Sequence, residues 1–228
     1  MANAFERSDY VAQYEAWYTT PFGRIADELE RRMIGDLLAP LEPGAALLEI
    51  GCGTAHFGLA LAQQGARVVG CDPAHAMLRA ARGRVPPLAG LVQADGMRLP
   101  FASGAFDAAV LVAVLEFVAD PVALLREARR VARRSVVVLT VNRWSYLALR
   151  RSVAGWRGHP VFRAARYRSC GQIEELVRAA GGRVEHTARA LYLPPALAGR
   201  CAPFERRLAA TRLPGAGIVG LAFDGSRA

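Results

Sequence analysis

LLEIGCGTAHFG, residues 47–58, begins as an apolar run, turns at two glycines and resumes with helical spacing. The run reads as a buried strand over AALLEI (45–50), bounded by Pro43-Gly44 before it and Gly51 after it. Gly51 and Gly53 let the backbone turn sharply and approach a ligand closely. The helix that follows presents unpaired N–H groups and the positive end of its dipole, which favour an anionic group. A dinucleotide turn of the G-x-G-x-x-G type needs glycine at position 56, where this chain has His56. Glu49, two residues before the first glycine, adds a carboxylate at the strand end.

Outward from this motif, short apolar runs alternate with helical stretches. HFGLALAQQG is a helix with Gly65 at its C-cap, ARVVGC the second strand and AHAMLRAARGR the next helix. LVQA (91–94), AFDAAVLVAV and RSVVVLTV supply three more strands. DPVALLREARRVA is a helix with Asp120 as N-cap and Pro121 at its first position. Such alternation predicts a parallel sheet wrapped by helices. After CGQIEELVRAAGG, a helix, the runs RVEHTARALYL and GAGIVGLAF read as two closing strands with no helix between them, and so as an antiparallel pair. The expectation is an α/β, Rossmann-like doubly wound sheet of seven strands, mostly parallel with an antiparallel last strand and helices on both faces.

Two more carboxylates fall at strand ends. Asp72 closes VVGCD, about 20 residues after the glycine turn, the expected position for an acid that holds ribose hydroxyls. Asp95 in LVQADGMRLPF can meet an adenine amino group, with the N–H of Gly96 or Met97 available to a ring nitrogen. Plainer roles stand beside these: Glu49 capping backbone amides, Asp72 as a helix N-cap, Asp95 as a turn residue before glycine.

Together EIGCGT (49–54), GCDP (70–73), QADGMRLPF (93–101) and FDAAVLVAVLEFV (106–118) resemble the class I S-adenosylmethionine-dependent methyltransferases, in particular the small-molecule "type 11" branch. The resemblance implies that S-adenosylmethionine is the cofactor and that S-adenosylhomocysteine is the product. It assigns the cofactor to Glu49, Gly51, Cys52, Gly53, Asp72, Pro73, Met77, Asp95, Gly96, Met97 and Val112. YEAWYTTPFGR, within residues 1–42, resembles a lid segment of this branch. The family often carries histidine where this chain has Glu116, a departure from its pattern. Methyl transfer to a bound acceptor depends mainly on alignment, and a base is needed only when the nucleophile carries a proton. Glu116, His56 and Tyr18 are the catalytic candidates. Tyr14, Trp17 and Asn142 to Tyr146 are further acceptor-side positions.

The 228 residues fit one domain: an N-terminal segment (1–42), a cofactor core (43–141), an acceptor-site cover (142–168) and a closing part (169–228). No apolar run reaches membrane-span length and the N-terminus lacks a signal-peptide pattern, so the expected location is cytoplasmic. Cys52, Cys71, Cys170 and Cys201 lack zinc-ligand spacing, and no metal site is expected. All 29 basic residues are arginine. Residues 1–121 hold 9 of them against 14 acids, whereas residues 122–228 hold 20 against 6. Residues 143–168 contain seven arginines, no acid and several aromatic residues. This segment suits an anionic acceptor or carrier protein, a membrane surface beside a lipid-like acceptor, or RNA; nucleic acid is the least favoured because no RNA-binding module accompanies it. A solvated arginine-rich face is the plain alternative. The expected function is methyl transfer to a small-molecule or lipid-like acceptor. The alternatives are an RNA or carrier-protein methyltransferase, a nicotinamide-dependent oxidoreductase on a related sheet, and a non-catalytic cofactor-binding protein.

Overall fold

The computed structural model describes residues 4–38, 42–84, 88–194, 197, 201–211 and 213–226. Residues 1–3 and 39–41 of the expected N-terminal segment lie outside these. After a short 3-10 turn at Ala4–Glu6 come α1 (Ser8–Thr19) and α2 (Pro21–Leu37). The core follows as β1 (Ala46–Ile50), α3 (His56–Gln63), β2 (Arg67–Asp72), α4 (His75–Ala81), β3 (Gly90–Gln93), β4 (Phe106–Val112), α5 (Pro121–Val131) and β5 (Ala132–Val141). The remainder is α6 (Tyr146–Trp156), α7 (Pro160–Ala164), α8 (Cys170–Ala179), β6 (Val184–Ala190), α9 (Ala202–Ala209) and β7 (Ile218–Asp224).

The seven strands lie in the order β3-β2-β1-β4-β5-β7-β6. Strands β1 to β5 pair in parallel, and β7 inserts antiparallel between β5 and β6. The expected sheet is therefore present, with one correction. β6 and β7 pair antiparallel, but helix α9 stands between them in sequence. APFERRLA follows a stretch of prolines and alanines, and at eight residues, with Pro203 inside its first turn, it is too short to give a readable apolar period.

Side chains alternate across the sheet, as the strand period of two requires. Leu47, Ala108, Val110, Val137, Leu139 and Val141 join Leu29, Met33, Ile34, Leu37, Phe57, Leu61 and Leu147 in one core layer. Leu48, Ile50, Ala109, Leu111, Val136 and Val138 meet Leu124, Leu125, Ala128, Ile173 and Val177 in the other. Both faces are covered, which is why the central strands read as unbroken apolar runs. Asp120 caps α5 by accepting the Ala123 N–H at 2.9 Å. Ser169 and Gln172 form a reciprocal capping box on α8. Strand order reverses at β1, with β2 on one side and β4 on the other, and that opens a crevice beyond the carboxyl ends of these strands.

Candidate active site

A cavity of about 730 Å³ occupies that crevice. Its volume lies within the range of small-molecule sites, roughly 300–1,000 Å³. Gly51, Gly53, Asp72, Pro73, Met77, Asp95, Gly96 and Val112 line it, as does Tyr18. Gly51 has φ +70°, and a Cβ there would lie 2.6 Å from Val114 Cγ2, so only glycine fits. At Gly96 a Cβ would crowd two buried side chains, Leu124 Cδ1 at 2.6 Å and Ile50 Cγ2 at 3.0 Å. Ala113, at the end of β4, also lines the cavity and holds φ +52°, a conformation non-glycine residues rarely adopt.

Asp72 is held by main chain. Its Oδ2 accepts the Gly53 N–H at 2.9 Å and its Oδ1 accepts the Ala74 N–H at 2.8 Å. Burial raises its pKa, opposed by these two bonds. Each oxygen keeps a lone pair for a ligand hydroxyl. Asp95 Oδ1 accepts the Met97 N–H at 2.9 Å, which takes that amide away from the ring-nitrogen role expected of it. The loop after β3 is braced from α5. Glu127 accepts the Leu99 N–H at 2.9 Å, while Arg130 donates to the carbonyls of Leu99 and Phe101.

Five predicted site residues lie outside the lining. Met97 is one. Glu49 is buried and accepts the Gly58 N–H at 2.9 Å, so it ties β1 to α3; burial pushes its pKa up to about 8. Cys52 is buried with its sulfur against Gly70 of β2. His56 turns toward α2, with Nε2 2.8 Å from Asp27 Oδ1 and 2.9 Å from Arg31, and its ring stacks on Tyr18 at 3.8 Å between centroids. Burial pushes Asp27 up, but its bonds to His56 and Arg31 outweigh this and hold it low. Glu116 Oε1 accepts from the Thr140 hydroxyl and the Val141 N–H, both at 2.8 Å. Thr140 and Val141 line the cavity and Glu116 sits behind them, 2 % exposed. Burial raises its pKa. Asn142, a predicted acceptor-side position, instead donates to the Ala216 carbonyl at 3.0 Å.

The N-terminal helices close the cavity. Tyr14, Trp17 and Tyr18 of α1 and Phe22 and Glu30 of α2 belong to its wall. Glu6 accepts the N–H groups of His75 and Ala76 at the start of α4, at 3.0 and 3.2 Å. Glu15 accepts the Thr54 hydroxyl and pairs with Arg84. The Tyr14 and Tyr18 hydroxyls lie 3.0 Å apart, and burial raises both well above the ordinary tyrosine range, so both stay protonated.

Away from the glycine turn the wall is apolar: Phe57, Leu139, Val141, Leu147, Val161, Phe162 and Ile218. Glu30 and Arg151 are set into it. Glu30 is 8 % exposed, and its side chain makes no hydrogen bond or ion pair among the described residues. Burial pushes its pKa up to about 8, with Arg151 pulling the other way. Arg151 lies over the Phe162 ring at 5.3 Å and likewise has no ion pair among the described residues. The sequence reading missed Glu30. A signal existed, because Ala26, Leu29, Met33, Ile34 and Leu37 mark the buried stripe of α2, and Glu30 falls within it.

Residues 48–140 match a family described as "Methyltransferase domain". An uncharacterized protein of Mycobacterium tuberculosis is 34% identical over 190 residues, 82% of this chain and 64% of the relative. The demethylmenaquinone methyltransferase of Corynebacterium kroppenstedtii is 39% identical over 121 residues, 53% of this chain and 51% of that one. The chain thus spans between about half and two thirds of the length of these curated relatives. In fold it is similar to a SAM-dependent methyltransferase of Thermotoga maritima, with TM-score 0.74 and 23% identity over 95% of this chain and 96% of that one. It is also similar to the magnesium protoporphyrin IX methyltransferase of Synechocystis, solved with bound SAH, with TM-score 0.69 and 16% identity over 97% and 96%. Residues 48–140, the part of the chain that matches the methyltransferase-domain family, carry the glycine turn, Asp72 and Asp95, and the fold that gathers them on one cavity is similar to that of S-adenosylmethionine-dependent methyltransferases.

Proposed function

We propose that the protein transfers a methyl group from S-adenosylmethionine to a small-molecule or lipid-like acceptor of largely apolar character. One observation carries this reading: the cavity that holds the glycine turn, Asp72 and Asp95 at one end continues into an apolar chamber at the other. S-adenosylmethionine supplies an electrophilic methyl group on a sulfonium. Asp72, with both oxygens fixed by main-chain amides, is placed to accept ribose hydroxyls, and Gly51, Gly53 and Gly96 leave room for close approach. The acceptor chamber excludes water with aromatic and aliphatic walls. Glu30 faces that chamber with no side-chain hydrogen bond among the described residues, and in its ionised form, which its raised pKa reserves for pH near 8 and above, it is placed to take a proton from an acceptor O–H or N–H. Arg151 is placed to hold a carbonyl or anionic oxygen of the same molecule. A curated relative named for demethylmenaquinone supports a small-molecule acceptor. The enclosed chamber favours such an acceptor over RNA or a carrier protein.

Titration calorimetry with S-adenosylhomocysteine tests the cofactor half. The wild type binds in the micromolar range, and Asp72→Ala weakens binding by about a hundredfold or more, the loss of two hydrogen bonds to a charged group. NAD titrating in place of S-adenosylhomocysteine would overturn the reading.

A further inference from the structure

Helix α6 is apolar on two opposite sides. Leu147, Ala148 and Gly155 are buried against the body of the protein. Tyr146, Leu149, Val153 and Trp156 recur at spacings of three and four, which lines them up along one stripe. Most of that stripe faces solvent: Tyr146 is 53 % exposed, Leu149 60 % and Trp156 83 %, with Val153 half-buried between them and Trp144 just before the helix at 69 %. Four of the seven exposed large hydrophobic residues among those described fall within these thirteen positions. Scattered single apolar residues on a surface are ordinary, but a contiguous stripe is not. Arg143, Arg150 and Arg157 flank it, also exposed, and Arg143 lies over the Trp144 ring at 5.2 Å. No acid interrupts residues 143–168.

A groove runs beside this stripe, lined by Tyr146, Leu149, Val153 and Arg157 together with Arg150, Ala154 and His159. The last three also line the acceptor cavity. The exposed face and the cavity therefore share a wall.

We propose that this face docks on an anionic lipid bilayer, with Trp144, Leu149, Val153 and Trp156 entering the headgroup–acyl boundary and Arg143, Arg150 and Arg157 pairing with lipid phosphates. Charge complementarity selects this occupant. A symmetric second copy would set the same arginines against each other. A phosphate backbone would engage the arginines but leave Leu149 exposed to water. An apolar stripe flanked by arginine matches the arrangement of interfacial helices. On the methyl-transfer reading above, docking sets the shared wall against the membrane, so a lipid-like acceptor reaches the chamber without crossing bulk water.

The test is co-sedimentation of the full chain with phosphatidylcholine vesicles, with and without phosphatidylglycerol. Binding should require phosphatidylglycerol and weaken as salt rises. Leu149→Ser with Trp156→Ser, and separately Arg143→Ser with Arg157→Ser, should each lower partitioning about tenfold or more. Both variants should bind S-adenosylhomocysteine as the wild type does, which shows that they fold. Absence of vesicle binding, equal binding to pure phosphatidylcholine, or a face that instead pairs two copies or holds polyadenylate would overturn the proposal. Vesicle binding needs no turnover, so its loss and a failure of the cofactor titration are separate results.

Discussion

At one end of the cavity the wall is main chain; at the other it is side chains from distant elements. The glycine turn, the left-handed backbone at Gly51 and Gly53, and the two amides that fix Asp72 all come from short segments at the ends of β1 and β2. The acceptor chamber draws on α1, α2, β4, β5, α6, α7 and β7. A site made of backbone geometry tolerates few substitutions and serves one ligand. A site made of side chains on several helices can change its ligand by changing single residues. That contrast accounts for one family keeping a common cofactor while its acceptors differ.

The comparison breaks most readily at Gly51. Gly51→Val combines a positive φ with a collision at Val114, and should abolish detectable S-adenosylhomocysteine binding while lowering unfolding stability by about 2–3 kcal/mol. Unchanged calorimetric affinity would show that main-chain geometry does not define that end.

Glu30→Gln probes the other end. Turnover of an acceptor with an ionisable O–H or N–H should fall about a hundredfold, with product affinity unchanged. The same variant has a stability signature. Because burial raises Glu30 to about 8, the folded chain retains a proton that the unfolded chain has already lost between the ordinary carboxylate range and that value. Stability therefore falls as pH rises from about 5 to about 8, and Glu30→Gln should recover roughly 2 kcal/mol at the upper end in urea unfolding. Glu49 titrates in the same direction, so a shallower slope persists. A slope identical to wild type would remove Glu30 from this account.

Glu116→Ala leaves the Thr140 hydroxyl and the Val141 N–H without their acceptor, at a cost of about 2 kcal/mol in stability, with product affinity within about threefold of wild type. A collapse of turnover without loss of stability would return Glu116 to the chemistry. The smallest effect belongs to His56→Ala: about 1 kcal/mol of stability and less than about a twofold change in rate, because His56 serves Asp27, Arg31 and Tyr18 rather than the cavity.

How much could be read beforehand follows the same division. β1, its glycine turn, Asp72, Asp95 and the strand succession are local patterns, set by backbone requirements within a few residues. Glu49 and Glu116 were visible as acids at strand ends, but whether such an acid faces a ligand or an amide depends on which way the strand presents it. In β1 the buried amide of Gly58 won. His56 was drawn away by Asp27, which lies 29 positions earlier and is brought near only by folding. Glu30 was hidden because an acid in an amphipathic helix reads as its solvent side unless it is counted against the apolar stripe. Helix α9 was hidden by its shortness and by the proline in its first turn.

The fastenings of α1 bear on time rather than affinity. Glu6 ties the segment before α1 to the amides of α4, and Glu15 ties α1 to Thr54 and Arg84, so the helix that supplies part of the wall is also pinned over the glycine turn. A ligand that leaves by that route must wait for these carboxylates to let go. On the methyl-transfer reading, a product that left by this route would dwell on the protein for as long as these contacts hold, and their opening would set a ceiling on turnover.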